Sequence, residues 1–292
     1  MQDFEYFQPQ TLDEAVAALA RENGRARILA GGTDLLVQLR EGRRTAGLLV
    51  DVKRIPELFA LHYDPGGGLS IGAAASCLRV VDFCRSLAIY PGLTAAVELI
   101  GGTQIQGRAS VGGNLCNASP AADAIPALIV HRAVCVVRGP AGERRVAVED
   151  FCTAPGQTVL QPGELLVSIE LPPAPRGFGA HYLRFTPRNE MDIAVAGAAA
   201  AVTLSADGGT YAVVRLALGA VAPRPLFLRE AAEQLAGRPV GSETIEEAAR
   251  LARAAASPVD DTRGTGAQRR HLSGVLIRRA LQAAEARARK EL

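Results

Sequence analysis

The stretch Leu29-Ala-Gly-Gly-Thr-Asp-Leu-Leu36 places two adjacent glycines between an apolar run and a helical pattern. A short apolar run, Ala26 to Ala30, leads into it and reads as a strand. Thr33-Asp34 then opens a helical pattern through Leu39. A strand-to-helix turn built on Gly31 and Gly32 leaves backbone amides bare at a helix N-terminus, with no Cβ atoms in front of them. That combination offers an anion partial positive charge, aimed donors and close approach. Thr33 adds a hydroxyl, whereas Asp34 suits an anion site only if it caps the helix. The spacing is neither a Gly-x-Gly-x-x-Gly fingerprint nor a Walker loop with its lysine.

A second stretch, Ala109-Ser-Val-Gly-Gly-Asn-Leu-Cys-Asn-Ala-Ser-Pro120, repeats the idea. It reads as too irregular for a helix and too rich in glycine and asparagine for an ordinary strand. Gly112 and Gly113 leave amides unshielded, and Ser110, Asn114 and Asn117 add side-chain donors and acceptors. Farther on lies Asp123, which either accepts hydrogen bonds from sugar hydroxyls or caps a helix. Two phosphate-friendly turns far apart in sequence suit a long ligand with a pyrophosphate in its middle, and a dinucleotide is the natural candidate.

Around these turns the pattern is mixed. Thr11-Leu-Asp-Glu14 is a capping box before an amphipathic helix, and Leu48 to Val52 is a buried strand, so residues 1 to about 55 read as a small parallel α-β-loop-α-β unit. Strands are expected at Leu69 to Ala73, Ala133 to Arg138 and Leu165 to Leu171, with helices near Cys77 to Leu87, Leu93 to Leu99 and Ala122 to Val130. Pro172-Pro-Ala-Pro175 breaks the pattern and reads as a linker. Beyond it, strands near Ala180 to Thr186, Ile193 to Leu204 and Tyr211 to Ala220 precede helices near Leu228 to Leu235, Ser242 to Ala255 and Arg269 to Arg289. The expected class is α+β. An N-terminal domain spans 1–175, with subdomains at about 1–56 and 57–175. A C-terminal domain spans 176–292, with a three-stranded antiparallel sheet packed on helices.

The rest of the composition narrows the function. A net charge of +2, with eight Phe, five Tyr and no Trp, gives little footing for nucleic acid. The late basic cluster, Arg269 to Lys290, reads as the solvated face of a terminal helix. No apolar run reaches membrane-spanning length, and MQDFEYFQPQ has no secretory pattern, so the expectation is a soluble cytoplasmic protein. The five cysteines lack Cys-x-x-Cys spacing and the four histidines are scattered. Neither an iron–sulfur cluster nor another metal site is expected on this chain.

AGGTDLL followed by SVGGNLCNASPAAD resembles the FAD-binding medium subunit of the molybdenum hydroxylases, the xanthine dehydrogenase and carbon monoxide dehydrogenase group. LVDVKRIPEL, LSIGAAAS, GELLVSIELP, RNEMDIAVAGAAAAV, LALGAVAPRPLF and DDTRGTGAQRRHLSGVLIRRAL extend the resemblance, in order, over nearly the whole chain. It implies a two-subdomain FAD-binding fold of the vanillyl-alcohol oxidase type ahead of the C-terminal domain. It also implies that Leu29, Ala30, Gly31, Gly32, Thr33, Asp34, Leu35 and Leu36, with Ser110, Val111, Gly112, Gly113 and Asn114, bind the FAD pyrophosphate. Asp123 would hold the ribityl chain or nearby hydroxyls. Ile100 and Leu166 would lie near the flavin ring, where some relatives have an aromatic in place of Ile100. Arg184 stands where some relatives place a lysine close to the ring; the alternative for it is an ordinary sheet-surface arginine. Thr33-Asp34 looks more like the xanthine dehydrogenase and aromatic hydroxylase branches than the His-Ser of carbon monoxide dehydrogenases. The iron–sulfur insertion of 4-hydroxybenzoyl-CoA reductase is not evident.

The resemblance implies a division of labour. A large molybdopterin subunit would oxidise the substrate, a small subunit with 2Fe-2S clusters would relay electrons, and this chain would pass them from FAD to NAD+, oxygen, a quinone or another acceptor. The complex would be a dimer of heterotrimers, and no side chain here need act as acid, base or nucleophile. The competing expectations are a self-contained flavin oxidase or dehydrogenase and a flavin-free scaffold subunit.

Overall fold

The structure is a computed structural model that describes residues 3–189 and 191–292. Met1 and Gln2 of the opening MQDFEYFQPQ, and Glu190 of the RNEMDIAVAGAAAAV segment, lie outside the described residues.

The first part of the chain runs β1 (Glu5–Phe7), α1 (Leu12–Arg21), β2 (Ala26–Leu29), α2 (Leu35–Arg40) and β3 (Leu48–Asp51). Thr11 caps α1, its hydroxyl accepting from the Glu14 amide at 3.2 Å, and the Glu14 carboxylate reaches back one residue past the cap to accept from the Gln10 amide at 2.7 Å. Ala15, Val16, Ala18 and Leu19 of α1 then pack on Ala26, Leu48 and Val50. The sheet is parallel, in the order β1-β3-β2. The strand β1 has no counterpart in the sequence reading, because Glu5, Tyr6 and Phe7 are all exposed and show no alternation. Asp51 staples it: its carboxylate accepts from the Tyr6 hydroxyl and, at 3.3 Å, from Gln8, while Lys53 Nζ sits 2.8 Å away.

The middle of the chain contains β4 (Leu61–Asp64), β5 (Gly68–Gly72), α3 (Cys77–Ser86), α4 (Pro91–Val97), α5 (Thr103–Gln106), α6 (Val111–Asn117), α7 (Ala124–Val130), β6 (Val134–Gly139), β7 (Gly142–Ala147), α8 (Val148–Phe151), β8 (Cys152–Ala154), β9 (Gln157–Thr158) and β10 (Leu165–Leu171). Its five-stranded sheet has the order β4-β5-β10-β6-β7 and is antiparallel throughout. One expectation fails here: Val111–Asn117 is helical. The Ser110 hydroxyl caps it by accepting from the Gly113 amide at 3.0 Å. The helix is set by tertiary contact and not by propensity, since a Cβ on Gly112 would lie 2.4 Å from the Ala73 carbonyl oxygen. Only glycine lets this helix settle on that strand end.

After the proline run come β11 (Phe178–Phe185), β12 (Ala196–Leu204), β13 (Tyr211–Gly219), β14 (Leu226–Phe227), α9 (Arg229–Leu235), α10 (Ser242–Ala255) and α11 (Gly266–Ala288). The antiparallel sheet on helices is present, with a fourth strand, in the order β11-β12-β13-β14. β14 is only two residues long, too short to leave a period in the sequence. The alanines of β12 have a structural cause. Ala196, Ala198 and Ala200 face Ile277, Ala280 and Ala284 of α11, while Ala199 and Ala201 face the middle layer. A strand buried on both faces between close elements has room for methyl groups only. The late arginines are not a uniformly solvated face. Arg269 is buried, Arg287 donates to the Ala180 carbonyl at 2.5 Å, and Arg278 pairs with Glu246 across to α10.

Candidate cofactor site

The two glycine turns touch. A Cβ on Gly31 would lie 1.9 Å from the carbonyl oxygen of Arg108, and the Arg108 guanidinium donates to the Gly31 carbonyl at 3.4 Å. Gly31 is thus the point at which the first turn leans on the chain entering the second. Gly32 has φ +78°, a left-handed conformation that glycine adopts without strain. Both turns then present helix starts to one cavity, of 710 Å3, in the size range of cofactor sites. Among the described residues, the amides of Gly31 to Leu35 and of Gly112 donate to no protein acceptor, whereas Val111 is buried beside the antiparallel bridge of Ser110 with Ser76. Leu35 and Gly112 are first-turn donors that a helix leaves open, and Gly31 to Asp34 are the amides of the turn leading into α2. The Oδ1 atom of Asn114 is buried against the same cavity and also lacks a partner.

Asp34 does not cap α2. It stands at the N-cap position with a helical backbone and no side-chain cap bond. Asp34 lines the cavity uncapped, so the capping expected of it at an anion site is not met, and burial raises its pKa against the pull of Arg44 and Arg43.

Deeper in the cavity Asp123 does not cap α7 either. Its carboxylate accepts from the Tyr182 hydroxyl at 2.7 Å and from Arg184 Nη1 at 2.7 Å. Arg184 on β11 is no sheet-surface residue, since its side chain is 6% exposed. Burial pushes Asp123 up to about 6, with Arg184 and then Tyr182 opposing the rise. The apolar wall is formed by Ile100, Ile105, Leu165, Leu166 and Ile193. The cavity therefore has a donor-rich waist at the two turns, a carboxylate–guanidinium pair at one wall, and apolar surface that sheds water.

Residues 2–174 match the family model of the FAD-binding domain in molybdopterin dehydrogenase, and residues 181–284 match that of the carbon monoxide dehydrogenase flavoprotein C-terminal domain. The chain belongs to the FAD-binding medium subunits of the molybdenum hydroxylases. It is 34% identical to the carbon monoxide dehydrogenase medium chain of Afipia carboxidovorans, over 98% of each chain. It is 31% identical to the xanthine dehydrogenase FAD-binding subunit of Escherichia coli O157:H7, covering 97% of this chain and 96% of that one. The structure superposes on a carbon monoxide dehydrogenase chain from Hydrogenophaga pseudoflava with a TM-score of 0.93, 33% identity and 98% coverage of both chains. It superposes on a quinoline 2-oxidoreductase chain from Pseudomonas putida 86 with a TM-score of 0.88 and 28% identity, again over 98% of both.

The residues present fit the flavin dinucleotide that defines this medium-subunit family. The open amides suit a pyrophosphate, and the unpartnered Asn114 oxygen suits a hydroxyl or imino donor. Of the residues expected at the site, all but Leu29, Leu36 and Val111 line the cavity. Leu29 and Val111 are buried in the core beneath their turns, and Leu36 is exposed on α2. The cavity also takes in Asn117, offered by the sequence as a side-chain donor and acceptor, and residues with no expected place there: Arg27, Gln38, Arg44, the 160–165 turn, Asp192 and Ile193. Asp192 and Ile193 fall inside RNEMDIAVAGAAAAV, so the motif was a signal for them. Arg27 and Arg44 sit among scattered arginines with no motif of their own. Among the described residues no helix is long and apolar enough to cross a membrane.

Proposed function

We propose that this medium subunit is the FAD-carrying electron-transfer component of a molybdenum hydroxylase. In this reading, residues 1–175 hold the dinucleotide and residues 176–292 complete its wall. The observation that carries it is the contact of the two glycine turns at Gly31 and Arg108, which aims two sets of open amides into one cavity. The amides of Gly31 to Leu35 and of Gly112 bind the pyrophosphate by hydrogen bonds and by the positive ends of α2 and α6. The paired Asp123 keeps acceptor lone pairs for a ribityl hydroxyl. Ile100 and Leu166 pack beside the ring and exclude water. Arg184, held in place by Asp123, sets a fixed positive charge at that wall.

Bound flavin supplies a group that takes up electrons singly and gives them up in pairs. The electrons would come from 2Fe-2S clusters of a small partner subunit, fed by a large molybdopterin subunit. They would leave to NAD+, oxygen, a quinone or another acceptor, and the assembly would be a dimer of heterotrimers in the cytoplasm. The carbon monoxide and xanthine dehydrogenase relatives, named as medium chain and FAD-binding subunit, support partners of this kind.

Purified chain reconstituted with FAD should show a flavin absorption band at one FAD per chain and no hydroxylase turnover by itself. Folded protein that takes up no FAD contradicts the reading. Steady-state turnover by the chain alone would favour a self-contained oxidase.

A further inference from the structure

Arg269 lies in the first turn of α11, is 4% exposed, and does not line the cavity. Its guanidinium nevertheless joins three separate segments. Nη1 donates to the Val195 carbonyl at 2.7 Å and to the Ala220 carbonyl at 3.0 Å. Nη2 donates to both carboxylate oxygens of Asp261, each at 2.7 Å. Two of these contacts lead to the cavity. Val195 ends the segment that brings Asp192 and Ile193 into the wall. Ala220, a non-glycine residue at φ +63°, donates its amide to the Pro120 carbonyl at 2.7 Å, and Pro120 opens the segment that ends in Asp123. Asp261 is itself fixed, because its Oδ1 also accepts from the amides of Arg263 and Gly264 at 2.8 and 3.1 Å. A rigid planar fork satisfied at several points sets the spacing of everything it binds, which a flexible ammonium cannot do.

We propose that Arg269, anchored by Asp261, is a positioning residue that holds the Asp192–Ile193 and Pro120–Asp123 segments in register as one wall of the flavin site. The proposal rests on the FAD reading above. It assigns the DDTRGTGAQRR stretch a task at the cofactor, although none of its residues reaches the cavity.

The test uses the full chain with Asp261→Asn and Arg269→Lys. Asp261→Asn keeps Oδ1 and its turn bonds but gives up the second carboxylate oxygen and the charge. Arg269→Lys keeps the charge but loses the fork. Kd for FAD and the visible circular dichroism of the bound flavin are measured at a temperature where far-ultraviolet circular dichroism shows each apo variant fully folded. The expected result is a Kd raised roughly ten-fold and an altered visible band in both variants. Should Arg269→Lys not fold, Asp261→Asn decides alone. A lowered Tm with Kd and visible band unchanged would reduce Arg269 to a structural residue and overturn the proposal. Failure of the unaltered chain to bind FAD would overturn the parent reading instead.

Discussion

The carboxylate of Asp123 and the guanidinium of Arg184 meet at 2.7 Å across the boundary between the middle layer and the C-terminal sheet, with both side chains under one-tenth exposed. The pair is at once a wall of the cavity and a bond between two parts of the chain. Breaking it by Arg184→Ala leaves a buried carboxylate with only Tyr182 for company. The apo chain should lose about 3 kcal/mol in urea unfolding, the usual cost of orphaning one member of a buried pair. A loss within experimental error would mean that Asp123 is solvated.

The same pair predicts a pH dependence. Asp123 titrates near 6 in the folded chain, against 3.8 for a free side chain, so the folded state holds the proton more tightly than the unfolded state does. Its contribution to stability is therefore greatest in acid and is lost as pH rises through that window. Between pH ~4.5 and ~7.5, wild type should lose on the order of 2 kcal/mol relative to Asp123→Asn. Parallel curves for the two proteins would contradict this assignment.

The glycines of the two turns should separate into distinct classes. Gly31→Ala drives a methyl into the Arg108 carbonyl at 1.9 Å, and Gly112→Ala does the same to Ala73 at 2.4 Å, so both should destabilise the apo chain. A Cβ on Gly113 would meet only the Ser110 hydroxyl, at 2.8 Å. Gly113→Ala should therefore cost only a helix cap, about 1 kcal/mol, while lowering FAD affinity ten-fold or more. Thermal melts of apo protein and FAD titrations read the two effects separately; equal affinity in Gly113→Ala would remove that turn from the pyrophosphate site.

Asn114 gives the opposite signature. Its buried Oδ1 lacks a partner in the apo chain and so carries an unrecovered desolvation cost. Asn114→Leu should leave apo stability unchanged or raise it, yet weaken FAD binding. Lower apo stability together with unchanged affinity would show that the amide is structural.

What the sequence revealed follows the range of each interaction. The bare amides at Gly31-Gly32 and Gly112-Gly113 are local backbone chemistry, and the helix cap at Thr11 is likewise local, so both were legible. The helix at Val111–Asn117 was not, because contact with Ala73 overrides a composition that opposes helix. The exposed β1 and the two-residue β14 carry no period to detect. Arg184 could be named from the family resemblance, but its partner is distant in sequence, and no local pattern links them. Arg269 read as one solvated arginine among several, since burial at the start of a helix is decided by the loop that folds over it.

The decisive measurement is a crystal structure of the chain reconstituted with FAD. Both phosphates are expected within hydrogen-bond distance of backbone amides from the Gly31–Leu35 turn and from Gly112 together. A pyrophosphate held by neither turn, or by one with the other empty, would contradict this expectation.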